Sequence, residues 1–280
     1  ILGPREKGNY TIPFDYSALD ANSEYFVKVQ FLLAKDMPWA KKGYVQMEEQ
    51  LPVKSAGQFA SIKESAKGDK PTLSQTKDKK LVKGNGFSVV FNNATGTINS
   101  LQYGNKVIFA DGNGPKLDAF RAMTDNDNWA YRQWFAKGLN NLQHKVLDSK
   151  VYTKEDGTVV LAYTVESQAP YGQNIRDLGI SSGKYEITKS KDFGPDDFKF
   201  TTNQIWTVYP DGSIELEANI NSSEPGLDLP RLGYVMKTPS DLKNYTYYGR
   251  GPQNNYNDRM NGAFVQLYNS TVQDQFVHFP

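Results

Sequence analysis

The sequence predicts an all-β chain organised in two parts. Three observations lead there. Of the 280 residues, 17 are Tyr and 15 are Phe, aromatic side chains that fit half-buried pleated strands better than helices. Short apolar runs recur between clusters of Asn, Asp, Gly and Pro, which is the pattern of strands joined by turns. A stretch nearly free of aromatic residues divides an early pair of runs from a long later series. A length of 280 allows one large or two ordinary domains. The balance of 38% apolar to 22% charged residues suffices for packed cores.

The early runs cover residues 25–34 and 43–51, with Asp36 and Pro38 marking the turn between two antiparallel strands. An immunoglobulin-like sandwich takes about 100 residues and seven strands, so residues 1–53 read as the C-terminal part of one. From 54 to 80 Lys, Ser, Ala, Thr and Gln dominate and Phe59 is the lone aromatic residue, which predicts an extended linker.

Residues 81–280 make the second part. Runs at 87–91, 97–103 and 106–109 predict a three-strand meander through the turns Asn92-Asn93-Ala94-Thr95-Gly96 and Gly104-Asn105. Asp156-Gly157 separates Val151-Tyr152 from a strand over 158–165, and Pro210-Asp211-Gly212 joins 200–209 to 213–220 as a hairpin. In the last of these strands Ile214, Leu216, Ala218 and Ile220 share one face, leaving Ser213, Glu215, Glu217 and Asn219 on a wet one. One helix interrupts the strands, over 129–137. Asp125 or Asp127 caps it, Gly138 ends it, and the pairs Ala130/Trp134 and Tyr131/Phe135 give it an apolar stripe.

Composition narrows the chemistry. With 32 Lys+Arg against 31 Asp+Glu the net charge is +1, so no global field favours nucleic acid or an anionic membrane, and neither is an expected partner. No apolar run approaches the roughly 18 residues of a membrane span. The absence of Cys removes disulfides, thiolate nucleophiles and cysteine metal sites, and the two histidines, His144 and His278, cannot build a three-His or HExxH zinc site. Asp125-Asn126-Asp127-Asn128 suggests a calcium loop, but Ala130 and Ala136 stand where an EF-hand needs Gly and Glu. No metal site is expected. The adjacent acids Glu48-Glu49 and Asp196-Asp197 read as solvated surface, because a glycosidase holds two carboxyls about 5–9 Å apart across its sugar. His144 reads as structural. Trp129, Trp134, Trp206, Tyr247 and Tyr248 are residues of the type that stacks on sugar rings, and core packing is the preferred reading of them.

Two sets of motifs then add a resemblance. Phe120-Arg121-Ala122-Met123-Thr124-Asp125-Asn126-Asp127, followed by Trp129 and the helix, resembles the Arg-Ala-Pro-Thr-Asp-Asn-Asp signature of the small-chain domain of family 2 β-galactosidases. Leu229-Pro230-Arg231-Leu232-Gly233 resembles that domain's Pro-Arg-Ile-Gly motif. Gly249-Arg250-Gly251-Pro252-Gln253-Asn254-Asn255-Tyr256-Asn257-Asp258-Arg259 resembles its Gly-x-Gly-Pro-x-Glu-Asn-Tyr-x-Asp-Arg motif. The order is the family's. Met123, Asn254 and Asn257 depart from it, where the family has Pro, Glu and Pro. The structural motif residues are then Arg121, Asp125, Asn126, Asp127, Arg231, Gly249, Gly251, Pro252, Asn255, Tyr256, Asp258 and Arg259.

The resemblance implies a partial immunoglobulin-like sandwich followed by a large antiparallel supersandwich of the galactose mutarotase type, cut short at its C-terminus, with one short helix. It implies a parent enzyme that hydrolyses terminal β-D-galactosides with retention. In the family the catalytic glutamates and the magnesium ligands belong to a (β/α)₈ barrel outside these residues. No catalytic, metal or cofactor residue is therefore expected here, and the chain alone is expected to be inactive. Its expected role is scaffold and part of the active-site wall. The substrate-proximal segment would be a loop over 233–241, with Gly233, Tyr234, Pro239 and Asp241. The partners implied are the barrel and other domains of the parent, a β-galactoside through that parent, and copies of the chain itself through unpaired sheet edges. An independent carbohydrate-binding or mutarotase-like module is the alternative. The lack of Cys fits bacterial cytoplasm and periplasm equally.

Overall fold

The computed structural model describes residues 5–20, 23–54, 67–179, 184–253, 255–256 and 259–276. Phe59, Asn254, Asn257, Asp258 and His278 lie outside the described residues. The fold is all-β, with antiparallel pairing throughout the described sheets and one short α-helix. Among the described residues no helix is long and apolar enough to cross a membrane. Two compact units divide the chain, residues 1–61 with 246–269 and residues 62–245 with 270–280.

In the first unit β1 (Tyr25–Leu32) and β2 (Val45–Lys54) pair as expected, with Val27 opposite Leu51 and Phe31 opposite Met47. The turn between them is held by Asp36, whose carboxylate accepts from the Lys42 backbone N–H at 3.0 Å.

The second unit begins with a correction. The linker expected through residue 80 is strand from residue 72: β3 (Thr72–Gln75) pairs with β4 (Lys79–Gly84). Its polar composition is that of an edge strand, where only Leu73 packs onto the core while Thr72, Ser74 and Gln75 face water. β5 (Phe87–Asn92), β6 (Thr97–Tyr103) and β7 (Lys106–Phe109) complete a five-stranded meander in sequence order. After β8 (Lys116–Asp118) and the helix come β9 (Gln143–Thr153), β10 (Val159–Gln168), β11 (Tyr171–Asp177), β12 (Tyr185–Asp192), β13 (Phe200–Val208) and β14 (Ile214–Ser222). A four-stranded sheet runs in the order β14-β13-β10-β9.

Period-2 alternation brings these two sheets face to face. Val82, Phe87, Val89, Phe91, Ile98, Leu101 and Phe109 of the meander form one buried cluster with Val159, Leu161, Tyr163, Val165, Trp206 and Val208 of the four-stranded sheet. Each such side chain contributes roughly 1.5–3 kcal/mol when fully buried. Trp206 ties the layers together: its ring meets Phe91 at 5.6 Å and its Nε1–H donates to the Gly96 carbonyl at 3.1 Å. Lys80 also points into this core. It is 5% exposed, and its Nζ donates to Asn93 Oδ1 at 2.9 Å above the Tyr163 ring. Burial holds its pKa below the usual value.

A second core gathers Leu117, Ala119, Ala130, Tyr131, Trp134, Phe135, Leu139, Ile175, Phe198 and Phe200. The expected helix over 129–137 is realised as a 3₁₀ turn, Asp125–Trp129, followed by α1 (Tyr131–Ala136). The break falls at Ala130, whose φ of −122° is not helical. Both predicted stripe pairs are buried. Gly138 ends α1 with φ +67°, and a Cβ there would lie 2.2 Å from the Ala169 Cβ. The wet face expected on β14 is met only in part: Glu217 and Asn219 are exposed, but Ser213 and Glu215 are half-buried, the latter accepting from the Tyr209 hydroxyl at 2.6 Å, and Ala218 of the other face is exposed.

β15 (Gly233–Val235) pairs with β8. The last ribbon, β16 (Asn244–Gly251) with β17 (Phe264–Thr271), lies for the most part in the first unit, although the sequence places it with the second. The cause is specific pairing in that unit: Gln50 Nε2 donates to the Val265 carbonyl and Gln50 Oε1 accepts from the Val265 N–H, both at 2.8 Å.

Gly138→Ala combines a left-handed backbone with an overlap, so urea unfolding is expected to show a loss of about 2–4 kcal/mol. A second prediction concerns pH. His144, opposite Ser167 across β9 and β10 with Nδ1 2.9 Å from its hydroxyl, has its imidazole pushed down from 6.5 to about 4 by burial and then by the Lys116 charge. The unfolded chain takes up the proton below pH 6.5 and the folded one only near 4, so stability is fully present above 6.5 and falls between those values. The loss is on the order of 3 kcal/mol. Urea titrations of wild type and His144→Gln across this window are expected to differ by that slope.

Candidate functional site

The motif residues of the second unit form a knot. Arg121 makes a bidentate pair with Asp127, Nη1 to Oδ2 at 2.7 Å and Nη2 to Oδ1 at 2.9 Å, and its guanidinium lies 5.6 Å from the Trp134 ring centroid. Asp127 Oδ2 also accepts from the Thr124 backbone N–H at 2.6 Å and from the Thr124 hydroxyl at 3.1 Å. Asp127 therefore bonds back to Thr124 and is not itself the N-cap. Burial alone would raise its pKa, but the bonds from Arg121 and Thr124 outweigh that and hold the carboxyl below its ordinary range. Met123, at the family's Pro position, packs its flexible side chain against the second core. Asp125 and Asn126 remain on the rim, neither of them buried.

Arg231 joins this unit by pairing with Asp118. The substrate-proximal loop expected over 233–241 is corrected at its start, where Gly233, Tyr234 and Val235 pair with Asp118, Leu117 and Lys116 as strand. Gly233 has no positive φ, and a Cβ added there would meet nothing within 4 Å, so neither backbone freedom nor close packing requires glycine at this position. Tyr234 packs on the second core. Pro239 and Asp241 do line a concavity, an open groove of about 550 Å³ shared with Tyr103, Asn105, Lys106 and Val107. Tyr103 and Lys106 carry no site signal in the sequence, since a residue at a hairpin end does not reveal what packs across from it.

The other motif residues belong to the first unit. Gly251 is buried where a Cβ would meet Tyr247 Oη at 2.2 Å, and the Tyr247 ring stacks on Tyr268 at 5.2 Å. Tyr247 donates to the Pro252 carbonyl at 3.2 Å. Arg250 donates to the carbonyls of Met260 and Ala263, and the Arg259 guanidinium lies 5.5 Å from the Tyr256 centroid. Gly249 and Asn255 are half-buried. These contacts hold the backbone of the motif.

One acid of each adjacent pair is engaged in the surface network, while Asp196 is exposed as expected. Glu48 binds Lys28 and accepts from Gln30, while Asp197 pairs with Lys191 and accepts from the Gly194 N–H. Among the described residues no three His, Asp or Glu side chains gather to hold a metal ion. Of the candidate stacking residues, Trp134 and Trp206 are core and Tyr247 is half-buried. Trp129 and Tyr248 depart from the core reading, at 70% and 56% exposure, and the Tyr248 hydroxyl donates to Glu24 at 2.7 Å.

Removing Asp127 leaves Arg121 without its carboxylate at a site of low exposure, so Asp127→Ala is expected to lower stability by about 2–4 kcal/mol in urea unfolding. Asp127→Asn, which keeps an acceptor for Thr124, is expected to lose less.

Comparison with known proteins agrees with the motifs. A family model described as "Beta galactosidase small chain" matches residues 83–280, and one described as "Beta-galactosidase, domain 4" matches residues 2–54. The β-galactosidase of Psychromonas ingrahamii is 25% identical over 287 residues, covering 96% of this chain and 24% of that protein. Those of Priestia megaterium and Lactobacillus delbrueckii subsp. bulgaricus are 25% and 26% identical, covering 93% and 98% of this chain but 22% and 24% of their own lengths. The chain thus spans about a quarter of the curated relatives it matches. With the greater part of its length matched by the first model, the chain belongs to the β-galactosidase small chain family.

Proposed function

We propose that the chain works as the non-catalytic C-terminal portion of a β-galactosidase that cleaves terminal β-D-galactosides with retention. The carrying observation is the small-chain match over residues 83–280 in a chain that aligns with about a quarter of each relative. The geometry supports a scaffold role: the motif residues spend their charges and hydrogen bonds on Arg121–Asp127, Arg231–Asp118 and backbone carbonyls. The groove beside Pro239 and Asp241 is the concavity that would contribute to a substrate-facing wall.

In this reading a double displacement through a galactosyl-enzyme is carried by carboxylates of a barrel that this chain joins. In this reading the magnesium that the family resemblance implies is held by the same barrel.

The test is hydrolysis of a chromogenic β-galactoside. The 280-residue chain alone is expected to give no turnover, and turnover is expected when it is mixed with a polypeptide carrying the remaining three quarters of a relative such as the Lactobacillus enzyme. Turnover by the chain alone, or none from a folded, associated mixture, would overturn the proposal.

A further inference from the structure

We infer that Asn261 is a site of spontaneous deamidation through a succinimide, singled out by the fold from the three Asn-Gly pairs of the chain, with water as the co-reactant. In this step the backbone nitrogen of the following glycine gives up its proton and bonds to the Asn Cγ, and the Cγ–Nδ2 bond breaks to release ammonia. Water then opens the five-membered ring at either carbonyl, leaving aspartate or isoaspartate. Closure is favoured by a following residue without a side chain, and it needs a peptide that can turn toward the Asn side chain. Asn85-Gly86, Asn113-Gly114 and Asn261-Gly262 all meet the first condition. They differ in the second.

Asn113-Gly114 is locked. Gly114 is buried where a Cβ would overlap the Ile98 carbonyl, the Asn113 N–H donates to the Ala110 carbonyl at 3.0 Å, and the Asn113 carbonyl accepts from the Lys237 N–H at 2.9 Å. Asn85-Gly86 is exposed but tied, because it is the two-residue link between β4 and β5. Gly86 has φ +77° and its carbonyl accepts from the Gly104 N–H at 2.7 Å, while Asn85 Nδ2, the group that would leave, donates to Asp69 Oδ2 at 3.3 Å. Asn261 and Gly262 are both exposed, at the centre of a turn closed by the Ala263 N–H on the Met260 carbonyl at 3.1 Å, a bond that uses neither of them. Gly262 has no positive φ and a Cβ there would meet nothing within 4 Å, so this peptide has room to swing. The product has a local consequence. Arg250 Nη1 donates to the carbonyls on either side of the pair, Met260 at 3.1 Å and Ala263 at 2.9 Å. Deamidation puts a carboxylate between them in the chain, where it competes for the guanidinium, and isoaspartate also lengthens the main chain between them by a methylene.

The full chain is incubated at mildly alkaline pH and the three sites are followed by peptide mapping with mass spectrometry, using electron-transfer fragmentation to separate aspartate from isoaspartate. Both products are expected at Asn261, forming several-fold faster than at Asn85 or Asn113 and carrying heavy oxygen when the water is labelled. In guanidinium chloride, where the fold is lost, the three rates are expected to converge. Because Gly262 has room for a Cβ, Gly262→Ala is expected to match wild type by circular dichroism and to slow the reaction at Asn261 several-fold. Four results would overturn the inference: Asn261 intact in the folded chain while the unfolded chain converts, a rate at Asn85 or Asn113 equal to that at Asn261 in the folded chain, the same preference for Asn261 folded and unfolded, or an unchanged rate in folded Gly262→Ala. Galactoside turnover plays no part in these readouts, so they and the mixing experiment can fail separately.

Discussion

The inward face of β10 and β13 is the constraint on which the second unit depends. Both strands are paired along both edges, so neither can shift register without breaking two ladders. That one face must also fill two cores. Val159, Leu161, Tyr163 and Val165 meet the meander from β10, and Trp206 and Val208 join them from β13. At the other end of β13, Phe200 turns to the core that holds α1. A slip by one residue would empty both cores together.

The second core also supports the turn that carries the Arg121–Asp127 motif. Trp134 is buried there, carries the Arg121 guanidinium against its ring and donates from Nε1 to the Asp228 carbonyl at 2.9 Å. Arg121 fixes Asp127, and Asp127 fixes Thr124, so the exposed rim of the motif inherits its geometry from a packed helix. The charged residues of the motif act on the backbone, and the side chains they display, Asp125, Asn126 and Trp129, are left to meet what lies outside.

Strands and turns were legible because they are local. The 156–157 and 210–212 turns, the meander from 87 to 109 and the apolar stripe of α1 each follow from a period or a turn residue within a few positions. What escaped depends on distant partners. Polar β3 is recognisable only once β4 pairs with it, and Gly233 becomes strand because β8 lies beside it from more than a hundred residues away. Exposure of Trp129 was hidden for a related reason: α1 begins after it, so it lies outside the helical stripe that buries Trp134. Motif spacing, by contrast, revealed the Arg121–Asp127 partnership's residues without revealing their bonds.

Lys80 has a sequence signal that is easy to overlook, for it shares the inward parity of Val82. Its amine is enclosed between the meander and Tyr163, held by Asn93, whose own amide is anchored to the carbonyls of Thr76 and Lys77. The sandwich therefore keeps an internal record of its own closure: one ammonium is withheld from amine-reactive reagents while the two sheets touch, and it joins the surface lysines when they part.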